Sequence, residues 1–330
     1  MTIFASAEAF QAKFRAGLAA TLALPDVTPG QLVLVLANAI MLGDEHLVEQ
    51  VRLLAEPWLA KIPETMPESA VVEDVQVLRL ALLAGDPLAL SQRRTTAAGW
   101  QIQLNRLRGF RPHRAAGSRA TTLHRPFDSA GFSFERVPHE AYAHVDFCGQ
   151  SVALFFNKYP FEPYHTVVVP DVAGRHPQIL RQSDHELAWE LQTALAPILP
   201  NVATGYNALG TFASVNHLHF QTVISDQNLP LMHLPELSAY PISVRQYHTS
   251  AAAWHQIDEL QQANQPFNLV YAPGRVIVIP RRFQGSYEQA DWVSGFAWYE
   301  LAGSFIVSDE AQYHRLTDAA ILTQLRAATG

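Results

Sequence analysis

The sequence predicts an α+β protein in three segments: a small all-helical N-terminal domain over residues 1–95, a strand-rich domain over 96–228, and a second β/α domain over 229–330. Three observations predict it. Apolar residues recur at helical spacing up to about Leu90. From Thr96 short β-type runs end at prolines, and one stretch with Leu187, Leu191 and Leu195 on a single face reads as an amphipathic helix among them. With 330 residues, 48% of them hydrophobic and 16% charged, the chain has enough apolar material for more than one core.

Phe10, Phe14 and Leu18 form one apolar stripe, and Leu47, Val51, Leu54 and Trp58 form another. Pro25-Asp26, Thr28-Pro29-Gly30, Gly43-Asp44 and Gly85-Asp86-Pro87 punctuate the helices, and Pro63 with Met66-Pro67 marks an internal loop. Gln101 to Leu104, Ser151 to Asn157 and Thr166 to Val169 read as strands, the last stopping at Pro170. After the amphipathic helix and Pro197 the sheet resumes from Val202 to Ile224. Beyond Asp226 a proline-rich stretch leads to a helix from Trp254 to Ala263, strands from Phe267 to Tyr271 and Arg275 to Pro280, and a further strand from Trp298 to Val307. The last two segments share this coarse layout, which fits a divergent duplication.

A net charge of -7 gives no general attraction to nucleic acid or to anionic lipid, so neither a nucleic acid nor a membrane is expected as a partner. A small basic pocket for a phosphate compound remains compatible with it. Cys148 is the only cysteine, so no internal disulfide and no multi-cysteine metal site can form, which suits a reducing cytoplasm. Met1 to Ala12 lacks the basic start and continuous apolar stretch of a signal peptide, and the run from Gln31 to Leu42, broken by Asn38, is too short to span a bilayer.

The chemistry concentrates in Asn216-His217-Leu218-His219-Phe220-Gln221. On a strand, alternate side chains share a face, so His217, His219 and Gln221 would point to one place while Leu218 and Phe220 anchor the core. Three readings are open. The imidazoles could be core residues. They could be a metal pair completed by His165, His176 or Asp184, although Gln221 is a poor ligand. Or a neutral imidazole could be a nucleophile towards phosphorus, its other nitrogen held by an acceptor and amide donors facing the phosphoryl oxygens.

The stretch from Gly205 to Gln221 resembles the active-site signature of the GDP-L-galactose and GDP-D-glucose phosphorylases, members of the histidine-triad superfamily in the branch of galactose-1-phosphate uridylyltransferase. The likeness extends to Gln103-Leu104-Asn105 with Arg108 and Arg111-Pro112, to Arg125-Pro126-Phe127-Asp128 with Phe132-Ser133-Phe134, and to Asn157-Lys158-Tyr159-Pro160 through His165 to Pro170. Downstream, Pro266 to Leu269, Ile279-Pro280-Arg281 and Glu300 to Gly303 resemble the family's second, non-catalytic half. The resemblance covers roughly Trp100 to the C-terminus. It departs from the family pattern in a shorter basic loop, in Lys158, and in Ser304 where a histidine is expected.

The resemblance implies two histidine-triad-like antiparallel sheet/helix halves behind the helical domain. It makes His219 the nucleophile that becomes a nucleotidyl-histidine, with the His217 carbonyl holding its far N–H. Gln221 stands where simpler triad hydrolases carry a third histidine; an amide donates to a phosphoryl oxygen but cannot move a proton, which favours transfer to phosphate over hydrolysis. Ser214 would meet the α-phosphate, Asn207 and Gly210 would shape a turn whose N–H groups approach it, and Arg108 and Arg111 would clamp phosphate oxygens. Asn157, Lys158 and His165 would line or support the substrate site. The implied substrates are a nucleoside diphosphate hexose, most of all a GDP-hexose, and inorganic phosphate. No cofactor and no metal are required. A dinucleoside polyphosphate phosphorylase, or a nucleotide-binding module without turnover, fits the same residues. The apolar helical domain suits a cap on the enzyme body or a contact with a second copy in a homodimer.

Overall fold

Short polar residues open the first helices. Ser6 accepts the Ala9 N–H to start α1 (Ala7–Leu22), Thr28 and Gln31 form a capping box on α2 (Pro29–Leu42), and Asp44 accepts the Leu47 N–H to start α3 (Glu45–Leu59). Gly43, at φ 61°, ends α2 in the left-handed conformation that glycine adopts without strain. With α4 (Ala70–Leu83) these helices enclose α2, whose residues from Leu32 to Ile40 are all buried. The computed structural model describes residues 3–60, 70–83, 86–110, 120–225, 229–234 and 236–330. The expected loop at Pro63 and Met66-Pro67, Gly85, Asp226 and the Arg111-Pro112 part of the basic loop lie outside these residues.

Next come β1 (Ser91–Thr95), β2 (Gln101–Asn105) and a single turn, α5 (Arg106–Gly109), capped by Asn105. The body is built from β3 (Ala141–Phe147), β4 (Gln150–Phe156), β5 (Thr166–Pro170), α6 (Gln182–Leu195), β6 (Val202–Asn207) and β7 (Phe220–Ile224). It continues through α7 (Pro230–His233), β8 (Arg245–Tyr247), α8 (Ser250–Gln262), β9 (Phe267–Ala272) and β10 (Arg275–Pro280). The chain closes with α9 (Trp298–Leu301), β11 (Ser304–Val307), α10 (Glu310–Arg315) and α11 (Asp318–Thr329).

Among the described residues the main sheet has eight strands in the order β3-β4-β5-β7-β6-β9-β10-β8, with every pairing antiparallel. The fold class is therefore α+β. β6 and β9, in register from Thr204↔Tyr271 to Asn207↔Asn268, pair within this sheet and connect β3 to β7 with β8 to β10. On one face α6 and α8 bury Leu187 and Ile257 against Phe220 and Tyr271. The opposite face, carrying Val223, Val270 and Ile277, is covered by Trp298 and Phe296. Because side chains alternate, Gln221 looks to this second face while Phe220 looks to the helices.

The helical segment shares the main core. Phe14 meets Tyr142 and Phe156 with ring centroids 5.1 and 4.8 Å apart, and a Cβ at Gly17 would sit 2.7 Å from that of Tyr142, so α1 lies directly on β3. A second sheet takes one strand from each of the three sequence segments: β2 pairs antiparallel with β1 and parallel with β11.

Two expectations need correction. The stretch from Trp298 to Val307 is not one strand: Glu300 accepts the Ala297 N–H at 2.8 Å to start a helical turn, Gly303 at φ 99° ends it, and only Ser304–Val307 is extended. The sheet is not continuous from Val202 to Ile224 either, because residues 208–219 form turns and bends between β6 and β7, and His217 and His219 precede the strand. Periodicity did not reveal β1, β3, β8, α10 or α11.

Candidate active site

β6 and β7 pair from Val202↔Ile224 to Gly205↔Gln221 and then part. The side-chain amide of Gln178 fills the gap. Its Nε2 donates to the Asn207 carbonyl at 2.9 Å and the His219 carbonyl at 3.1 Å, while its Oε1 accepts the His219 N–H at 2.9 Å. Gln178 thus stands in for a missing rung of the ladder and fixes the backbone of His219 without continuing the strand. Gln178 is held in turn by Asn216 Oδ1, which accepts its N–H at 2.9 Å, and by the Tyr206 hydroxyl, which donates to its carbonyl at 3.1 Å.

His219 is buried, and its Nδ1 lies 2.7 Å from the His217 carbonyl. A carbonyl only accepts, so Nδ1 carries the proton and Nε2 presents a lone pair. Nε2 has no hydrogen bond among the described residues. Burial lowers the pKa to about 4 against the opposing pull of the His217 carbonyl, so the ring is neutral at neutral pH. The His217 ring is fixed differently. Its Nδ1 accepts the Phe134 N–H at 3.3 Å and lies 3.4 Å from Ser133 Oγ, and burial also lowers its pKa. Phe134 packs on both imidazoles, with centroids 5.3 Å from His217 and 5.8 Å from His219, and Phe127 meets His217 edge-on at 5.2 Å.

Gln221, half-buried, accepts the indole N–H of Trp298 at Oε1, 2.9 Å away. Indole is a donor only, so the NH2 is the end of this amide left for another partner. The indole reaches Gln221 by lying across Gly205, where a Cβ would come within 2.0 Å of the ring. Asn207 faces inward: its Oδ1 accepts Asn268 Nδ2 at 2.6 Å and the Trp298 N–H at 3.0 Å. Asn268 Oδ1 accepts from the buried Arg281 at 3.1 Å.

The remaining predicted residues spread out from this centre. Gly210 turns at φ 78°, with its carbonyl accepting the Gln284 N–H at 2.7 Å, and Ser214 is exposed on the same loop. Asn157 donates to His165 Nε2 at 3.2 Å; burial first, and then nearby Arg108, keeps the His165 pKa well below its ordinary value. Lys158 pairs with Asp74 of α4 at 2.7 Å. Arg108 donates to the Tyr159 carbonyl at 2.9 Å and lies over the Phe161 ring at 5.3 Å. The structure therefore ties His219 to the His217 carbonyl and, through Gln178, to Asn207, while Trp298 contacts both Asn207 and Gln221. Asn157, Lys158, His165 and Arg108 are engaged in the other contacts given above. Sequence reasoning missed Gln178 and Trp298, and gave Asn268 and Arg281 no individual role.

Residues 95–223 match the family model described as GDPGP1-like, N-terminal domain. GDP-L-galactose phosphorylase 1 of Arabidopsis thaliana is 26% identical over 221 residues, which are 55% of this chain and 49% of the relative. Human GDP-D-glucose phosphorylase 1 is 29% identical over 148 residues, 42% of this chain and 37% of the relative. The bovine protein of that name is 25% identical over 69% of this chain and 70% of its own. The chain spans about half or less of the length of the Arabidopsis and human relatives. Among solved structures, yeast Ap4A phosphorylase Apa2 in complex with Ap4A aligns with a TM-score of 0.51 at 15% identity, covering 80% of this chain and 98% of that one, which is a likeness of fold.

Proposed function

We infer from the match of residues 95–223 to the GDPGP1-like family model that the chain is a nucleotidyl-histidine enzyme that cleaves a nucleoside diphosphate hexose, specifically a GDP-hexose, with inorganic phosphate. His219 Nε2 attacks the α-phosphorus. The bond from phosphorus to the bridging oxygen breaks, and its electron pair leaves with hexose 1-phosphate. The adduct carries a positive imidazole ring whose Nδ1–H remains on the His217 carbonyl. An oxygen of inorganic phosphate then attacks the same phosphorus, the P–N pair returns to Nε2, and the nucleoside diphosphate departs.

The observation that carries this reading is the 2.7 Å bond from His219 Nδ1 to the His217 carbonyl, beside a neutral Nε2 that bonds to no described residue. In-line attack needs the nitrogen held about 3–3.5 Å from phosphorus, and a nucleophile fixed at both backbone and ring can be held that closely. The Gln221 NH2 meets charge on the phosphoryl oxygens. It offers no proton for the leaving group, and a sugar phosphate needs none. The fold supports the same reading as two histidine-triad-like halves, β3 to β7 with α6 and β8 to β10 with α8, of which the first carries the pair His217 and His219. Exposed Cys148, a free thiol, suits a cytoplasmic setting.

Intact-mass spectrometry in the absence of phosphate tests this directly. GDP-glucose or GDP-galactose is expected to add one GMP to the protein, phosphate is expected to remove it, and His219→Asn is expected to remain unmodified. An adduct formed from diadenosine tetraphosphate and not from any GDP-sugar would reassign the donor. No adduct from any nucleotide would leave a binding module.

A further inference from the structure

We propose that Trp298, contributed by the C-terminal segment, is a positioning residue that sets the polarity of the Gln221 amide and so makes it a donor towards the phosphoryl group. A glutamine side chain has two ends of opposite character on nearly the same shape. Turned one way it offers two N–H donors to an anion; turned the other way it offers a carbonyl oxygen that repels one. Half-buried Gln221 lies in β7, two residues after His219, and the proposed reaction uses only the first orientation. The indole N–H, 2.9 Å from Oε1, selects it, because indole can donate and cannot accept.

The surroundings give this contact a direction. Arg281 is fully buried and donor-only, so the oxygen of Asn268 faces it at 3.1 Å. The NH2 of Asn268 then donates to Asn207 Oδ1 at 2.6 Å, and that oxygen also accepts the backbone N–H of Trp298 at 3.0 Å. Each amide in the series is oriented by the one before it. Glu300 closes the turn that carries the indole by accepting the Ala297 N–H at 2.8 Å. Gly205, directly opposite Gln221 in the ladder, has no side chain to stand in the way. The C-terminal segment thereby fixes a polar group of the segment that carries His217 and His219.

The inference rests on the nucleotidyl-histidine reading, and a double-mutant cycle separates the two. Wild type, Trp298→Phe, Gln221→Ala and the double variant are compared by single-turnover nucleotidyl-enzyme formation from GDP-glucose, by donor affinity and by melting temperature. A second form carrying benzothienylalanine at position 298, which keeps the ring shape and replaces N–H by sulfur, stands in if Trp298→Phe does not fold. Loss of the indole N–H is expected to slow adduct formation about tenfold or more, in the range seen for lost donors to developing anions. Donor affinity is expected to change less than about twofold, and in the Gln221→Ala background the same change should cost less than about twofold. Full rate in the variant at 298, or an equal loss with and without Gln221, overturns the inference while leaving the nucleotidyl reading intact. A wild-type protein that forms no adduct overturns both.

Discussion

An imidazole that attacks phosphorus must be unprotonated, and His219 meets that requirement through burial. If it is the nucleophile of the proposed reaction, its pKa, lowered to about 4, puts the acid limb it sets in kcat/KM for a GDP-sugar near pH 4 and not near the ordinary 6.5; a pH–rate profile checks it. The same shift has a consequence for stability. The unfolded imidazole takes up a proton near 6.5 and the folded one only near 4, so between these values the unfolded state binds more protons and stability falls as the pH is lowered. Below about pH 4 the loss attributable to this one group reaches about 3 kcal/mol, and His219→Asn is expected to remove that share of the acid sensitivity in urea unfolding at pH 7.5 and pH 4.5. Gln178 illustrates what single residues conceal. The two histidines were legible because alternation within six residues is a local pattern, whereas Gln178 acts on main-chain atoms 29 and 41 positions away and carries no local signature. Replacing it by Leu takes this partner from the buried His219 N–H, the His219 carbonyl and the Asn207 carbonyl. About 1–3 kcal/mol of stability should be lost for each left without another, with a fall in kcat larger than the change in KM.

Elements were legible where one periodicity held for a full segment, as in α1, α6, β4, β5 and β9, and misread where a short polar signal cut across an apolar run. Trp298 to Val307 looks extended because it is rich in aromatic and β-branched residues. Glu300 and Gly303 decide otherwise, by capping a turn and ending it, and that turn brings the indole to the candidate site. The parting of β6 and β7 has a similar origin. At Gly205 the strands are still paired, yet the space above them belongs to Trp298. Gly205→Ala tests the arrangement at this scale. Alanine suits a strand's torsions as well as glycine does, and relief of chain entropy would favour it by a fraction of about 1 kcal/mol. The new Cβ meets ring atoms at 2.0 Å and that clash wins: a destabilisation of about 1–3 kcal/mol in denaturant unfolding, with slower adduct formation as the indole shifts from Gln221.

At the scale of the whole molecule, composition and periodicity revealed the α+β class and the order of its parts, but not their joints, because each joint pairs residues far apart in sequence. Glu162 is the clearest joint. Its buried carboxylate receives Arg93 of β1 at 2.6 Å, Ser225 beyond β7 at 2.9 Å, and the hydroxyl of Tyr299 in α9, so all three sequence segments meet on one side chain. Lys158–Asp74 also links two segments, but both partners keep some contact with water, which limits Lys158→Ala to about 1 kcal/mol or less. Arg93→Met should cost far more, about 3–5 kcal/mol at neutral pH, because it leaves a buried carboxylate without its cation. The pH dependence identifies the cause. Burial already raises the Glu162 pKa against the pull of Arg93, and without the arginine it rises further. A carboxyl raised in the folded state holds its proton there when the unfolded chain has released it, so stability falls as the pH climbs from 4.5 through the folded pKa. The deficit of Arg93→Met relative to wild type is therefore expected to be largest at pH 8 and to shrink towards pH 5. Adding Glu162→Leu should restore most of it, since an apolar pair has no charge to leave stranded. A deficit independent of pH, or one that Glu162→Leu does not relieve, would mean that Arg93 contributes packing alone.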